Sequence, residues 1–159
     1  AGGASGAAGS GGQSGSAGSS GSGGSAAGSG GSGGATCTEA GGAVWSQNGH
    51  CYFPLASSAS WNVSRDNCSN KAAHLVTITS ASEQSFVGAL VGSSTRWIGL
   101  SRIGAPSFSW LGGEALSYTN WESGQPDASG ESAALIRTGT LGWFDAALSE
   151  GHPSLCERE

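Results

Sequence analysis

The stretch YTNWESGQPDASGESAALIRTGTLGWFDAAL, residues 118–148, decides how the fold of this chain is interpreted. Only 11% of all residues are charged, yet four amide or carboxylate side chains fall close together here: Gln125, Asp127, Glu131 and Asp145. Pro126 lies between the first two. Side-chain oxygens gathered in this way are the ligands that a hard cation such as calcium prefers. The same residues could instead serve catalysis or form a polar loop without a metal.

The first 34 residues differ sharply from the rest of the chain. They consist only of Gly, Ser, Ala and one Gln, so they cannot bury enough apolar surface to offset the entropy of ordering them. We predict a flexible linker over residues 1–34 and one folded domain over residues 35–159. The predicted domain holds all six tryptophans, all four cysteines and every charged residue.

The charge and hydropathy of the chain exclude two classes of partner. The net charge is -5, and only Lys71 and five scattered arginines could contact a phosphate backbone, so we expect no nucleic-acid partner. No apolar run approaches the roughly 20 residues needed to span a bilayer, so we expect no membrane insertion. The amino terminus lacks the charged and apolar regions of a signal peptide, so any export signal or anchor has been removed or lies outside this sequence.

Four cysteines in a Trp-rich, Lys-poor domain favour an oxidising compartment, and they allow three disulfide pairings. Cys37 and Cys51 flank a segment with Gly-rich and Asn-Gly turns that is typical of a hairpin, so a local disulfide between them forms easily. That leaves Cys68 to pair with Cys156. A zinc site is the weaker alternative, because the sequence has no Cys-x-x-Cys pair and no histidines at paired-ligand intervals.

Two helices are predicted. In the segment SASEQSFVGALVG, Ser80 and Glu83 have capping-box spacing and Gly92 is a natural terminating residue, which predicts a helix of about ten residues. Earlier in the chain, Trp61 and Cys68 are seven residues apart and would lie on one face of a helix, directed at the core.

Short apolar segments predict the strands. They are bounded by Gly, Ser, Pro or Asn and are too short for helices: HLVTI, RWIGL, FSWL, AALI, GWFD and SLC. Helices early in the chain and short strands later indicate an α+β domain with an antiparallel sheet. About twenty polar residues separate FSWL from AALI, and loops of that length are usually functional.

The order of these segments resembles the C-type lectin-like fold. The series is HCYF, then Trp61 with Cys68, then HLVTI, RWIGL, FSW, YTNWESGQPD, GWFD and LCE, and it runs from about Cys37 to Glu157. The combination of WIGL with NWESGQPD is specific. The resemblance implies a domain of the long form, with an N-terminal hairpin disulfide and two helices packed on short antiparallel sheets beside a long ligand-binding loop.

The resemblance also implies a set of ligands. In the family, a Glu-Pro-Asn or Gln-Pro-Asp triplet supplies two calcium ligands across a cis-proline, a downstream Glu supplies a third, and a Trp-Asn-Asp motif supplies the rest. The matching ligand residues here, which would hold one calcium ion and a sugar together, are Gln125, Asp127, Glu131 and Asp145. Pro126 and Trp143 match the structural positions. The Gln-Pro-Asp order implies galactose-type sugars.

Three departures from the family pattern bear on this site. Phe144 replaces the Asn of the last motif, which removes one ligand and should weaken both calcium and sugar binding. Ala133 and Leu148 stand where the cysteines of a second inner disulfide would be, which implies a more mobile loop. Ala128 and Ser132 replace residues that often build an auxiliary calcium site, so at most one ion is expected.

Three classes of function follow. The leading hypothesis is a secreted or surface-displayed, calcium-dependent carbohydrate-binding module, weak per site and tethered through its N-terminal linker. The alternative is a metal-independent domain of the same fold that binds a protein or displays a surface. An enzyme is third: Glu131 and Asp145 could form a glycosidase pair, but no other catalytic motif supports hydrolysis, and we expect no catalytic residue.

Six other glutamates are expected to be solvated or to cap helices rather than to bind a metal: Glu39, Glu83, Glu114, Glu150, Glu157 and Glu159. Glu122 is expected to be a solvated loop charge. Asn62 and Asn67 match the glycosylation sequon, a motif that is common by chance, so glycosylation at these positions stays open.

Overall fold

The computed structural model describes residues 36–159 and Gly2, so the linker predicted at residues 1–34 otherwise lies outside the described residues. The elements follow in the order β1 (Ala43–Val44), β2 (Cys51–Ala59), α1 (Trp61–Ser69), β3 (His74–Leu75), α2 (Ala81–Val91), β4 (Arg96–Ser101), β5 (Ser109–Trp110), β6 (Ala133–Ile136), β7 (Trp143–Ala146) and β8 (His152–Arg158). Neither described helix has the length and apolar character needed to cross a membrane.

Both predicted helices are present. The α1 helix begins after Ser60, whose hydroxyl accepts a hydrogen bond from the Val63 amide at 3.4 Å. It buries Trp61 and Cys68 on one face, as their spacing predicted, and the Trp61 indole donates to the Ile98 carbonyl at 2.9 Å. This face fixes α1 against β4.

The α2 helix has the predicted ends. The Ser80 hydroxyl accepts from the Glu83 amide at 3.2 Å, and Gly92 ends the helix at a φ of 65°, in the left-handed region that favours glycine. The capping box is only half formed, because the Glu83 carboxylate accepts from the amide and hydroxyl of Thr79, which precedes the cap.

The strands form one connected sheet in the order β1-β2-β8-β4-β6-β7, with β3 beside β8 and β5 beside β4. The α+β class is confirmed, but the sheet is mixed rather than purely antiparallel, because β4 and β8 pair in parallel through Trp97 and Ser154. Local sequence patterns predict strands but not which strands become neighbours. The C-terminal β8 enters the centre of the sheet, and this long-range step creates the parallel pair.

Several predicted strands differ in extent from the structure, and FSWL forms a strand only at Ser109–Trp110. In HLVTI only His74 and Leu75 belong to a strand, although the segment continues buried and Val76 bonds to the backbone of Leu155 at 3.0 Å. A Cβ at Gly99 would lie 2.6 Å from the Leu75 carbonyl oxygen, so only glycine permits this close crossing. In the other direction, β8 extends beyond the predicted SLC on both sides.

Core side chains form two clusters. The first contains Tyr52, Val87, Ile98, Leu100, Trp110 and Trp143, among others. The second contains Phe53, Trp61, Trp97, Leu135 and the disulfide cysteines Cys51, Cys68 and Cys156. Both predicted disulfides are confirmed, and they join Cys37 to Cys51 and Cys68 to Cys156. The second disulfide ties α1 to β8, and closing a loop of that length stabilises a domain by roughly 4 to 5 kcal/mol in the chain-entropy model.

Two of the glutamates expected to be solvated or capping are buried instead: Glu83 is 3% exposed and Glu157 is 4% exposed. The Tyr52 hydroxyl lies 2.6 Å from Glu83 Oε1 and 2.8 Å from Glu157 Oε1, and burial beside these carboxylates raises the pKa of Tyr52. His50 and the Thr77 amide complete the contacts of Glu157, at 2.8 and 3.0 Å. The protein therefore supplies its own donors to these acids.

Candidate functional site

The long polar loop is fastened to β7 before it reaches the predicted ligands. Trp121 forms a parallel bridge with Trp143, and backbone hydrogen bonds join Asn120 and Glu122 to Trp143 at 2.7 and 2.8 Å. The Trp121 ring packs edge-on against Trp143 at 5.9 Å and against Phe108 at 5.0 Å. These contacts bring the following residues beside the end of β7.

A tight turn then presents the Gln-Pro-Asp triplet. The backbone amide of Gln125 donates to the Glu122 carbonyl at 2.9 Å, and the peptide bond between Gln125 and Pro126 is cis. Gln125 Oε1 accepts from the Asp145 amide at 3.1 Å, and the Asp127 amide donates to Asp145 Oδ1 at 3.0 Å. The triplet and β7 are thus held together by two direct hydrogen bonds.

Three carboxylates converge at this point, and we call them the acidic cluster: Asp127, Glu131 and Asp145. One carboxylate oxygen from each lies within 4.8 Å of the others. Asp145 is buried, Glu131 is half-buried and Asp127 is exposed. Burial and the negative charges of Asp145 and Asp127 raise the pKa of Glu131. The structure therefore brings together all four residues that the sequence singled out, with Gln125 at the edge of the cluster.

Arg102 is a site residue that sequence reasoning missed. Its Nη2 donates to Asp145 Oδ2 at 3.1 Å and to the Ala128 carbonyl, and its Nε donates to the Glu131 carbonyl at 2.8 Å. The guanidinium carbon lies 4.8 Å from the centroid of the Phe108 ring. The available signal was indirect: Arg102 directly follows β4, and β4 pairs with β6, which Glu131 precedes.

The strand β7 directs successive residues to different parts of the core. Trp143 belongs to the first core cluster, where its indole donates to Gln84 Oε1 at 2.8 Å. Phe144 packs against the second core cluster, and the Arg137 guanidinium lies 3.9 Å above its ring. Both carboxylate oxygens of Glu122 accept from Arg137 Nε at 2.9 Å. Phe144 is therefore held by packing and a cation-π contact.

Ala133 and Leu148, at the positions of the missing inner disulfide, are both part of the apolar packing. Ala133 is fully buried and Leu148 packs against the same second core cluster. The backbone nearby is held by a hydrogen bond of 3.1 Å from the Ser132 amide to the Ala146 carbonyl. Apolar packing thus occupies the place of the covalent link.

The acidic cluster fits a calcium ion in the chemistry of its donors. It offers hard carboxylate oxygens, with the Gln125 amide oxygen close by, and three carboxylates face one guanidinium, so negative charge is in excess. A second grouping of candidate ligands, Cys37, Glu39 and Cys51, does not fit, because its sulfur atoms form a disulfide.

Known proteins resemble most of this chain. A family model described as "Lectin C-type domain" matches residues 57–158. The mouse protein "C-type lectin domain family 4 member A" is 38% identical over 117 residues, which cover 68% of this chain and 49% of the relative. The chain thus spans about half the length of this curated relative.

Several solved structures are also similar to this chain. The C-type lectin domain of murine dendritic cell inhibitory receptor 2, solved in complex with N-glycan, has 35% identity and a TM-score of 0.64, covering 69% of this chain and 91% of that chain. A calcium-independent type II antifreeze protein has 26% identity and a TM-score of 0.68, covering 76% and 92%. Domains of this family are generally binding modules rather than enzymes. The family model covers more than half of the residues of this chain, so the chain belongs to the C-type lectin domain family.

Proposed function

We propose that this chain is a calcium-dependent carbohydrate-binding domain whose site is the acidic cluster. The observation that carries the proposal is the convergence of three carboxylates to within 4.8 Å, next to the Gln125–Pro126 bond. Gln125, Asp127 and Glu131 come from one loop and Asp145 comes from β7, and two hydrogen bonds join the loop to the strand. Like charges held this close repel one another, and a bound cation would relieve that repulsion.

The residues of the site have distinct tasks. Gln125 and Asp145 are held by the backbone contacts described above and would form the fixed part of the ion site. Among the described residues, no protein group donates a hydrogen bond to the carboxylates of Asp127 and Glu131, so their oxygens remain available to a ligand. A bound calcium ion would supply a positive centre for vicinal sugar hydroxyls, and the same hydroxyls would donate to the free carboxylate oxygens.

The order Gln125-Pro126-Asp127 favours galactose-type sugars, following the family pattern. Each site would be weak, because Phe144 supplies no oxygen, and a roughly millimolar affinity for the ion corresponds to the weak end of extracellular calcium modules. Several copies acting together on linkers such as residues 1–34 would then provide useful avidity. Two disulfides support a secreted or extracytoplasmic location.

A second candidate is a metal-independent domain of the same fold that binds a protein or displays a surface. Two observations favour it. Arg102 already neutralises part of the acidic cluster, through its 3.1 Å ion pair with Asp145. One of the similar solved structures is a calcium-independent protein.

Glycan binding with and without a chelator tests the proposal. We expect the wild-type chain, displayed in many copies, to bind galactose-terminated glycans in calcium and to lose them in chelator. Asp127→Ala removes a free carboxylate and should abolish binding in both conditions. Asp66→Ala, on the exposed face of α1, is the matched control and should behave as wild type. Glycan binding by Asp127→Ala at the wild-type level would remove this site, and binding that resists the chelator would favour the second candidate.

A further inference from the structure

We propose that Arg102 is a built-in counter-cation of the acidic cluster, which competes with a metal ion for Asp145 and thereby holds the calcium affinity of the site low. This inference rests on the proposed function, because it concerns the same site. It adds a residue that sets metal affinity from outside the ligand set.

The contacts of Arg102 resemble those of a bound cation. Its guanidinium is surrounded by three oxygens from separate parts of the loop and strand: the carbonyls of Ala128 and Glu131 and the carboxylate of Asp145. These are the carboxylate and carbonyl oxygens that a calcium ion also uses. The guanidinium therefore occupies three oxygens of the kind that a calcium ion would use.

Asp145 cannot readily serve both cations. Its side chain has no solvent exposure, its Oδ1 accepts from the Asp127 amide, and its Oδ2 accepts from Arg102. An ion that shared this carboxylate would place two positive charges close together in a buried position, where repulsion is poorly screened. Metal binding therefore requires Arg102 to leave Asp145.

Arg102 has a route away from Asp145. Its side chain is 20% exposed, and the next five residues, 103–107, are all exposed. The half-buried Phe108 ring offers the guanidinium a cation-π contact that does not depend on the carboxylate. Arg102 is thus held at the cluster by charge and hydrogen bonds rather than by core packing.

Opposite effects on stability and metal affinity follow. In the metal-free protein, Arg102 links the loop carbonyls of Ala128 and Glu131 to Asp145 on β7, so its removal should loosen the loop. The same removal should strengthen calcium binding, because the competing charge is gone. An arginine with a purely structural role would lower both stability and affinity when replaced.

The test combines calcium calorimetry with thermal unfolding in chelator. We expect Arg102→Gln to tighten calcium binding by about tenfold or more and to lower the unfolding temperature in chelator by a few degrees. Arg102→Lys keeps the charge and should stay closer to wild type than to Arg102→Gln in calcium affinity. Arg65→Gln, which removes an exposed arginine paired with Asp66 on α1, should change neither measurement appreciably. If Arg102→Gln does not fold, Arg102→Met, which also removes the charge, is measured in its place with the same expected results.

The outcomes distinguish the two proposals. Calcium binding that is measurable in the wild type and tighter in Arg102→Gln supports both of them. Calcium binding that appears only after Arg102→Gln supports the competition and overturns the proposed function of the wild-type chain. Wild-type binding that Asp127→Ala abolishes but Arg102→Gln leaves equal or weaker overturns the competition and leaves the proposed function standing. An absence of calcium binding in wild type and in Arg102→Gln alike overturns both the calcium site and the role of Arg102.

Discussion

Two groups of acidic side chains in this molecule have opposite surroundings. In the core, every carboxylate oxygen of Glu83 and Glu157 lies within hydrogen-bond distance of a protein donor. The acidic cluster differs. Within the part of the chain that the structure describes, no protein group donates a hydrogen bond to the carboxylates of Asp127 and Glu131. The Asp145 carboxylate accepts from the Asp127 amide and from the Arg102 guanidinium. We call Glu83 and Glu157 the core acids, because protein donors satisfy their carboxylates, and Asp127 and Glu131 the loop acids, because their carboxylates remain available to a ligand.

This difference separates a structural acid from a ligand-binding one. A buried carboxylate with all its oxygens bonded contributes to stability, since removing it leaves donors unpaired. Carboxylates held close together repel one another, and burial together with the negative charges of Asp145 and Asp127 raises the pKa of Glu131. Such a group suits a cation from outside. Replacing a core acid should therefore cost stability, whereas replacing a site residue should change calcium binding.

The largest effect is expected from Glu157→Ala. The substitution leaves the Thr77 amide without its acceptor and removes contacts to His50 and Tyr52 in a buried position, so we expect a loss of about 3 kcal/mol in the free energy of unfolding. Chemical denaturation measures this loss. Glu150→Ala, at an exposed turn, is the control and should change little. A loss below about 1 kcal/mol for Glu157→Ala would show that the core acids are not structural.

Much of the fold could be predicted, because its signals are local. Ser80 and Gly92 mark the ends of α2 through capping and backbone preferences that act within one turn. The Asn-Gly turn joins β1 to β2, and this local hairpin brings Cys51 within reach of Cys37; the pairing of the other two cysteines then follows. The motif around Gln125 locates the candidate site because three of the four candidate ligands lie in one loop.

The rest depends on long-range contacts that leave no local pattern. Arg102 is an isolated arginine after a strand, and only the pairing of β4 with β6 brings it to the acidic cluster. Glu83 and Glu157 look like surface glutamates, but both lie within hydrogen-bond distance of the Tyr52 hydroxyl, from a third element, and this polar contact allows their burial. The parallel neighbours β4 and β8 are likewise set by the position of the last strand.

A smaller, mixed effect is expected from Phe144→Asn. Loss of the packed ring and of its contact with Arg137 should lower the free energy of unfolding in chelator by about 2 kcal/mol. The asparagine restores the residue of the family motif, so calcium affinity should rise in calorimetry. Phe144→Leu keeps an apolar side chain and is the control for packing. An unchanged or weaker calcium affinity in Phe144→Asn would make Phe144 a packing residue only and would weaken the analogy at this position.

The smallest effect concerns Glu39, which is neither a core acid nor a loop acid. Its hydrogen bonds with Arg158, at 2.7 and 2.9 Å, lower the pKa of Glu39. A depressed pKa stabilises the fold above the ordinary pKa of 4.5, and this contribution is lost as the pH falls through the lower folded value. Glu39→Gln should therefore reduce the unfolding temperature by about 1 or 2 °C at neutral pH, and the gap should close below pH 4.5. A gap independent of pH would contradict this assignment.

Calorimetric titration of the wild-type chain with calcium tests the central claim most directly, namely that the acidic cluster is a metal site. The account predicts saturable binding of about one ion per chain with a roughly millimolar dissociation constant. Asp127→Ala should abolish this binding and leave the unfolding temperature in chelator nearly unchanged, since Asp127 is exposed and only its backbone amide contacts Asp145. Absence of saturable binding in the wild type, or equal binding by Asp127→Ala, would contradict the account.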